Sequence, residues 1–197
     1  MTAVLAQLAA RRAVSADLAG LTGLEASCFE ADERWSAPSW QAELDGADRA
    51  VWVATRTCRA YDDGCQAFDE VAAACCVHLA GDDAELFRVM TAPPLRGLGV
   101  ATMLVSAGLA WARAQGAVRM LLEVRHDNAT ARSLYADLGF TDLYLRTNYY
   151  GYGLDAVVMS RPVDAPAPAV HAPVRAPAPA QTGGLWDDLH DEGDTDD

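Results

Sequence analysis

Two short stretches of this 197-residue chain carry residue types that can do chemistry. The first is Arg96-Gly97-Leu98-Gly99-Val100-Ala101-Thr102, placed where a strand gives way to a helix. Gly97 and Gly99 lack side chains, so a ligand can come close to the backbone. A helix that begins here leaves its first amides unpaired, and these donors and the helix dipole both favour an anion. The dipole contributes only about 0.3–1 kcal/mol, up to about 2 when partly buried, so the amide hydrogen bonds must supply most of the binding. Arg96 adds a positive charge at the rim. The pattern suits a pyrophosphate, although a plain turn also produces it. No G-K-[ST] follows, so it is not a Walker loop, and the third glycine of a dinucleotide fingerprint is missing.

The second stretch runs from Leu122 to Met159. An apolar strand ends on one acid, Glu123, and its neighbours Leu121, Leu122 and Val124 offer it no partner. A carboxylate half out of water at a strand end holds its proton more tightly and is a candidate general base. The competing reading is an edge acid paired with Arg125 or Arg119. Asn128 and Tyr135 stand seven residues apart on a helix, and seven steps of about 100° return almost to the start, which places them on one face. Tyr135 is either a core aromatic or a phenol positioned as a general acid, protonated at neutral pH by its ordinary pKa near ~10.

The remaining elements must position these two stretches. Leu18, Leu21, Leu24 and Cys28 predict a helix over 15–28 capped by Ser15. Ser36-Ala37-Pro38 opens a second helix through Leu44. Strands are expected over 50–55, 71–79 and 84–91, with a polar hairpin loop over 56–69 and Pro93-Pro94 ending the third strand. Met103, Leu104, Ala107, Leu109 and Trp111 stripe a helix over 99–115 that Gly116 terminates. A strand over 118–124, a helix over 128–138 and two strands over 140–146 and 156–161 follow. Strand–helix–strand units among hairpins imply an α/β (α+β) mixed sheet with helices on its faces.

The net charge is −13, and from Pro162 onward eight acids face Arg175 alone, so about half of that charge sits in the tail. An acidic body argues against a direct nucleic-acid footprint and attracts cationic partners. No apolar run reaches the ~18–20 residues that span a bilayer. The opening MTAVLAQLAARRAV has its arginines after the apolar stretch, the reverse of a signal peptide, so a cytoplasmic protein is expected. The cysteines are Cys28, Cys58, Cys65, Cys75 and Cys76, odd in number and without C-x-x-C. Cys75 and Cys76 should point to opposite faces of a strand as reduced, buried thiols, with His78 the one candidate base for a reactive cysteine. Their spacing does not suggest zinc, and no metal is expected. The expected domain covers 1–161. Residues 162–197 form a Pro/Ala linker ending in LWDDLHDEGDTDD, expected to be disordered. Alternatively, Leu185, Trp186 and Leu189 form one helical turn that docks on a partner or on the chain's own domain.

Arg96, Gly99 and Ala101 fit the pattern R/Q-x-x-G-x-G/A, and Asn128, Ala131, Leu134, Tyr135, Gly139 and Phe140 fit N-x-x-A-x-x-L-Y-x-x-x-G-F without gaps. On these residues the chain resembles the GNAT N-acetyltransferase superfamily. Leu122-Glu123-Val124-Arg125 and Asn148-Tyr149-Tyr150, with Asp155-Ala156 and Met159, look like the bacterial ribosomal-protein-alanine N-acetyltransferases. The resemblance implies a mostly antiparallel sheet with splayed central strands, acetyl-CoA as co-substrate, and a protein N-terminal peptide, from a ribosomal protein, as acceptor. It also implies roles. Val89, Met90 and Thr91 would pair with the pantetheine arm through their backbone, and Gly97 through Thr102 would offer amides to the pyrophosphate. Asn128 would bind the cofactor near the pantetheine. Glu123 would be the general base, Tyr135 the general acid, and Trp35, Tyr149 and Tyr150 would border the peptide channel. Thr91 departs from the valine the family favours, and Glu30–Arg34 is longer than in compact members. Two alternatives are a relative that acetylates a lysine side chain or a small amine, and a CoA-binding adaptor that recruits a partner through the acidic tail.

Overall fold

The computed structural model describes residues 8–58 and 68–165. The readings made above of the first seven residues, of Cys65 and of the segment with Leu185, Trp186 and Leu189 lie outside the described residues. Seven strands form one sheet in the order β1-β2-β3-β4-β5-β7-β6. They are β1 Leu8–Arg12, β2 Arg49–Cys58, β3 Phe68–Ala80, β4 Asp83–Thr91, β5 Arg119–Arg125, β6 Thr141–Arg146 and β7 Ala156–Pro162. All neighbours pair antiparallel except β4 and β5, which run parallel. A parallel pair needs a long crossover, and helix α3, Val100–Ala114, provides it. The other helices are α1 Leu18–Cys28, α2 Ala37–Asp45 and α4 Ala129–Asp137.

Alternation along β3 builds two cores. Ala73, Cys75 and Val77 pack on the face covered by α3 and α4, with Leu104, Leu109, Met120, Tyr135 and Phe140. Ala74 and Cys76 pack on the face covered by α1 and α2, with Leu21, Leu24 and Trp40. Both thiols are buried and free, on opposite faces as the strand pattern requires. Ser36 caps α2 by accepting a hydrogen bond from the Ser39 amide at 3.2 Å.

One irregularity decides the shape of the centre. Cys76 pairs with Arg88 but Val77 pairs with Leu86, so Phe87 is an extra residue in β4. Such a bulge flips the faces that follow it. Ala84 and Leu86 belong to the α3-side core, whereas Met90 belongs to the α1–α2 side and Val89 packs toward α3. Pairing between β4 and β5 runs from Asp83↔Arg119 to Leu86↔Leu122 and stops at the bulge. Both strands continue, β4 to Thr91 on β3 and β5 to Arg125 on β7. They part there and leave a wedge.

The structure corrects several expectations. β1 was not expected; its LAARR sequence is poor in strand-favouring residues, and pairing with β2 overrides that. The expected loop over 56–69 is shorter at both ends, because β2 and β3 stay paired out to Cys58↔Phe68. Ser15 does not cap a helix. A 3-10 turn, Ser15–Asp17, precedes α1. The fold also continues past Arg161, since Val163 is buried and its amide donates to the Val118 carbonyl at 3.1 Å.

Asp17 is the polar anchor of this entry. Its two oxygens each accept a 2.7 Å hydrogen bond from Arg11, and Oδ2 also accepts from the Val14 amide at 2.8 Å. The bonds from Arg11 hold its carboxyl below the usual carboxylate range, against the opposing effect of burial. A depressed folded-state pKa contributes stability above the unfolded value of about 3.9 and loses it as pH falls through the folded one. Asp17→Asn should therefore cost about 1–2 kcal/mol at neutral pH, with the difference shrinking toward zero in acid below about pH 3. Urea unfolding of both proteins at the two pH values measures this.

Candidate active site

The wedge opens beside the glycine-rich stretch. Gly97 and Gly99 adopt φ of 73° and 81°, a region side chains avoid, and nothing lies within 4 Å of where a Cβ would stand at either. Gly99 is the N-cap of α3 and no side chain caps that end, so the first amides of the helix have no intrahelical partner. Val100 is buried and Leu98 packs on the core, so these residues can offer only backbone to a ligand. Arg96 is tied to the strand: its Nε donates to the Thr91 carbonyl at 3.1 Å. The Thr91 hydroxyl is buried and finds no hydrogen-bond partner among the described residues. Positive-φ glycines with open space and uncapped amides fit a pyrophosphate, and the unpaired edge of β4 past Leu86 fits an amide-bearing arm.

Glu123 is the first residue of β5 beyond its last pairing with β4. The expectation that it lacks a partner is corrected, and so is the pairing with Arg125 or Arg119. Arg146 of β6 donates to Glu123 Oε1, while Arg125 pairs with Asp127 and Arg119 with Asp83. The partner comes from β6, across β7, where inspection of β5 alone could not find it. The two tyrosines of the β6–β7 connection join this group. The Tyr150 hydroxyl donates to the Glu123 carbonyl at 3.4 Å, and the Arg146 guanidinium sits 4.1 Å from the centre of the Tyr149 ring. A hydrogen bond to Glu123 raises the Tyr149 phenol above its ordinary pKa, and burial, then the Glu123 charge, raises that of Tyr150. Asn148 shapes the turn. Its φ is 55°, its amide donates to Asp155 Oδ1 at 2.8 Å, and its Oδ1 accepts from Gly153 at 2.6 Å.

Tyr135 is buried against Phe140, ring centroids 5.9 Å apart at 64°, and burial pushes its phenol upward. Tyr150 is near enough to couple to it electrostatically. Asn128 is the N-cap of α4, with φ −82° and ψ 72° outside the helical range, and its side chain accepts from the Ala131 amide at 3.1 Å. The Asn128 carbonyl in turn accepts the first intrahelical bond, from the Arg132 amide at 3.0 Å.

A cleft of about 400 Å³ runs between the end of α1 and the β5–α4 turn, lined by Cys28, Phe29, Glu33, Arg125, Asp127 and Asn128. Of the residues proposed from sequence, Asn128 alone lines it. Trp35 stands behind this wall, its ring 5.0 Å from that of Trp40. Both are organised by Glu25, which is 1% exposed and accepts 3.1 Å hydrogen bonds from the Trp35 amide and the Trp40 indole. Arg88 completes the arrangement. It donates to Glu25 Oε1 and to the Glu33 carbonyl, and its guanidinium lies 3.6 Å from the Phe29 ring centre and 5.0 Å from that of Trp35. It also acts electrostatically on Tyr150. The signal was present in the sequence: an acid seven residues after Leu18 on an apolar helix stripe, and an arginine inside the strand Leu86–Met90. Removing one member of a buried ion pair leaves the other uncompensated. Arg88→Met should therefore destabilise the fold by about 3–5 kcal/mol, and the double change Glu25→Gln/Arg88→Met should recover much of the loss. Chemical denaturation of the three proteins measures both.

Known proteins share this architecture. A [ribosomal protein bS18]-alanine N-acetyltransferase of Salmonella typhimurium is 34% identical over 98 residues, 48% of this chain and 66% of that protein, so the match falls just short of two thirds of the relative. The crystal structure of the ribosomal-protein-S18-alanine N-acetyltransferase from Escherichia coli superposes with a TM-score of 0.65 at 22% identity, covering 84% of this chain and 99% of the other. Arabidopsis thaliana NAA60, solved in complex with acetyl-CoA, gives a TM-score of 0.66 at 16% identity over 80% and 99% of the two chains. These two likenesses show the same fold. Residues 19–140, from α1 through the wedge and the glycine cradle to Phe140, match the acetyltransferase (GNAT) family, and the chain belongs to it.

Proposed function

We propose that the chain is an acetyl-CoA-dependent N-terminal acetyltransferase acting on the α-amine of a protein, with an alanine-initiated ribosomal protein as acceptor and the cytoplasm as its place of action. One observation carries the reading. The strands part directly before Glu123, so the wedge that suits the cofactor arm ends beside a carboxylate held by Arg146 and flanked by Tyr149 and Tyr150. Names of relatives that act on the alanine of bS18 support the acceptor. The acidic net charge favours the approach of a basic peptide. Among the described residues no helix is long and apolar enough to cross a membrane.

In this reading the Gly97–Thr102 backbone binds the pyrophosphate of acetyl-CoA, the free edge of Val89, Met90 and Thr91 orients the pantetheine, and Asn128 lies alongside. The acceptor amine attacks the thioester carbonyl; Glu123 takes its proton, through water, and Tyr135 returns one to the departing thiolate. Trp35, Tyr149 and Tyr150 border the acceptor's path, with Phe29 on the α1 side of the cleft. An α-amine with a pKa of about 7.7–8.0 is roughly a tenth neutral at pH 7, whereas lysine near ~10.4 is neutral in under about 0.1% of molecules. Deprotonating the first therefore costs less than deprotonating the second.

Purified chain, acetyl-CoA and an alanine-initiated basic peptide should yield α-acetylated peptide by mass spectrometry, well above the rate with the same peptide blocked at its α-amine or with a polyamine. Glu123→Gln should cut kcat by about 10²–10⁴ while the calorimetric affinity for acetyl-CoA stays near normal. Unchanged turnover removes Glu123 from the mechanism, and no calorimetric heat with acetyl-CoA removes the whole reading. Tyr135→Phe should slow the chemical step, seen in single-turnover kinetics, by about 10²-fold or more; an unchanged step makes Tyr135 a packing residue.

A further inference from the structure

Away from the wedge, Glu43 of α2 and Cys76 and His78 of β3 bring a carboxylate oxygen, a thiol sulfur and a ring nitrogen within 4.8 Å of one another. Two of the three share a face because they are i and i+2 on a strand. The third comes from a helix seated on that face by the fully buried Trp40. Cys76 Sγ is 3.3 Å from Glu43 Oε2, and His78 Nε2 contacts the same oxygen. The other oxygen, Oε1, accepts from Arg49 at 3.3 Å. The His78 ring is stacked on Phe87, centroids 3.9 Å apart at 15°, which holds its orientation. Cys76 is fully buried, whereas the His78 and Glu43 side chains remain 13% and 12% exposed, leaving an approach from solvent.

We propose that Glu43, Cys76 and His78 form a binding site for a divalent cation of borderline softness, with Zn²⁺ the ion that best matches the donors. A sulfur donor disfavours Mg²⁺ and Ca²⁺, and a mixed S, N, O set is the ligand chemistry of zinc. One thiolate and one carboxylate balance the two charges of the ion, and Arg49 on the outer carboxylate oxygen is the kind of second partner that orients a metal ligand. On binding, the Cys76 thiol releases its proton to solvent. A fourth position is left for water from the exposed side. The ion ties α2 to the centre of the sheet, and so stiffens the element that carries Trp40 beneath Trp35. The site does not depend on the acetyl-transfer reading. The competing account is an ion-free hydrogen-bonded cluster in which Glu43 accepts from its three neighbours.

Titration of the full chain, free of affinity-tag histidines, with Co²⁺ separates the two. One equivalent should produce sulfur-to-cobalt charge-transfer absorption and the intense visible bands of a four-coordinate site, and Zn²⁺ should displace it. Cys76→Ser should abolish the charge-transfer band, and His78→Gln should weaken Co²⁺ binding roughly tenfold or more. Zn²⁺ should raise the Tm of the parent chain and not that of Cys76→Ser. Folded chain that gives no charge-transfer band overturns the proposal, as does a band of equal strength in Cys76→Ser. Should Cys76→Ser fail to fold, Glu43→Gln decides. It keeps a hydrogen-bonding side chain of the same shape, and Co²⁺ affinity unchanged by it overturns the site.

Discussion

A single extra residue in β4 shapes the molecule around it. With Phe87 bulged out, β4 stays paired with β3 along its whole length, while its pairing with β5 stops at Leu86. Backbone groups on the inner edge of β4 are then left without a strand partner. In a sheet interior that would be a cost, since buried amides and carbonyls need partners. At the mouth of a cleft it is an edge open to a ligand. The same bulge turns Arg88 toward α1 and Val89 toward α3, so it also sets which side chains face each layer of helices. Lost pairing, exposed edge and redirected arginine are one geometric event.

The two sides of the wedge are held by different kinds of charge. On the α1 side Glu25 is buried and Arg88 largely so, and Glu25 is satisfied three times over, by Trp35, Trp40 and Arg88. Such pairs contribute little net stability against an apolar replacement, but breaking one member is expensive. Their effect here is to hold the connection between α1 and α2 in one conformation over β4. On the β5 side Glu123 and Arg146 are partly exposed, each with substantial solvent contact. Water screens that pair, so it contributes less to stability and leaves the carboxylate reachable.

Much of this was legible in the residues taken in order. The helices α2, α3 and α4 and strands β3 to β7 follow from periodicity and from the stops at Gly116, Gly139 and Pro93-Pro94, because these are local effects of backbone freedom and side-chain alternation. The glycine cradle was legible for the same reason: positive φ at Gly97 and Gly99 is a property of glycine itself. Cys75 and Cys76 on opposite faces needed nothing beyond the strand period. Asn128 was singled out by its place in a motif, whereas its capping bond to the Ala131 amide shows only once the helix start is fixed at Ala129.

Partners were not legible. Arg146 reaches Glu123 from 23 residues away, Arg88 reaches Glu25 from 63, and Glu43 reaches His78 from 35. Charge and ligand pairing depend on which strand lies beside which, and the order that sets β7 between β5 and β6 is an outcome of the whole sheet. So too with β1, whose residues carry little strand preference and pair only because β2 offers an edge. The chain by itself determined its elements, its glycine turns and its kinship, since those rest on short-range sterics and on motifs carried by neighbouring residues. Which carboxylate meets which cation, and where two parallel strands part, was decided only in three dimensions, because those energies depend on distances that sequence separation does not encode.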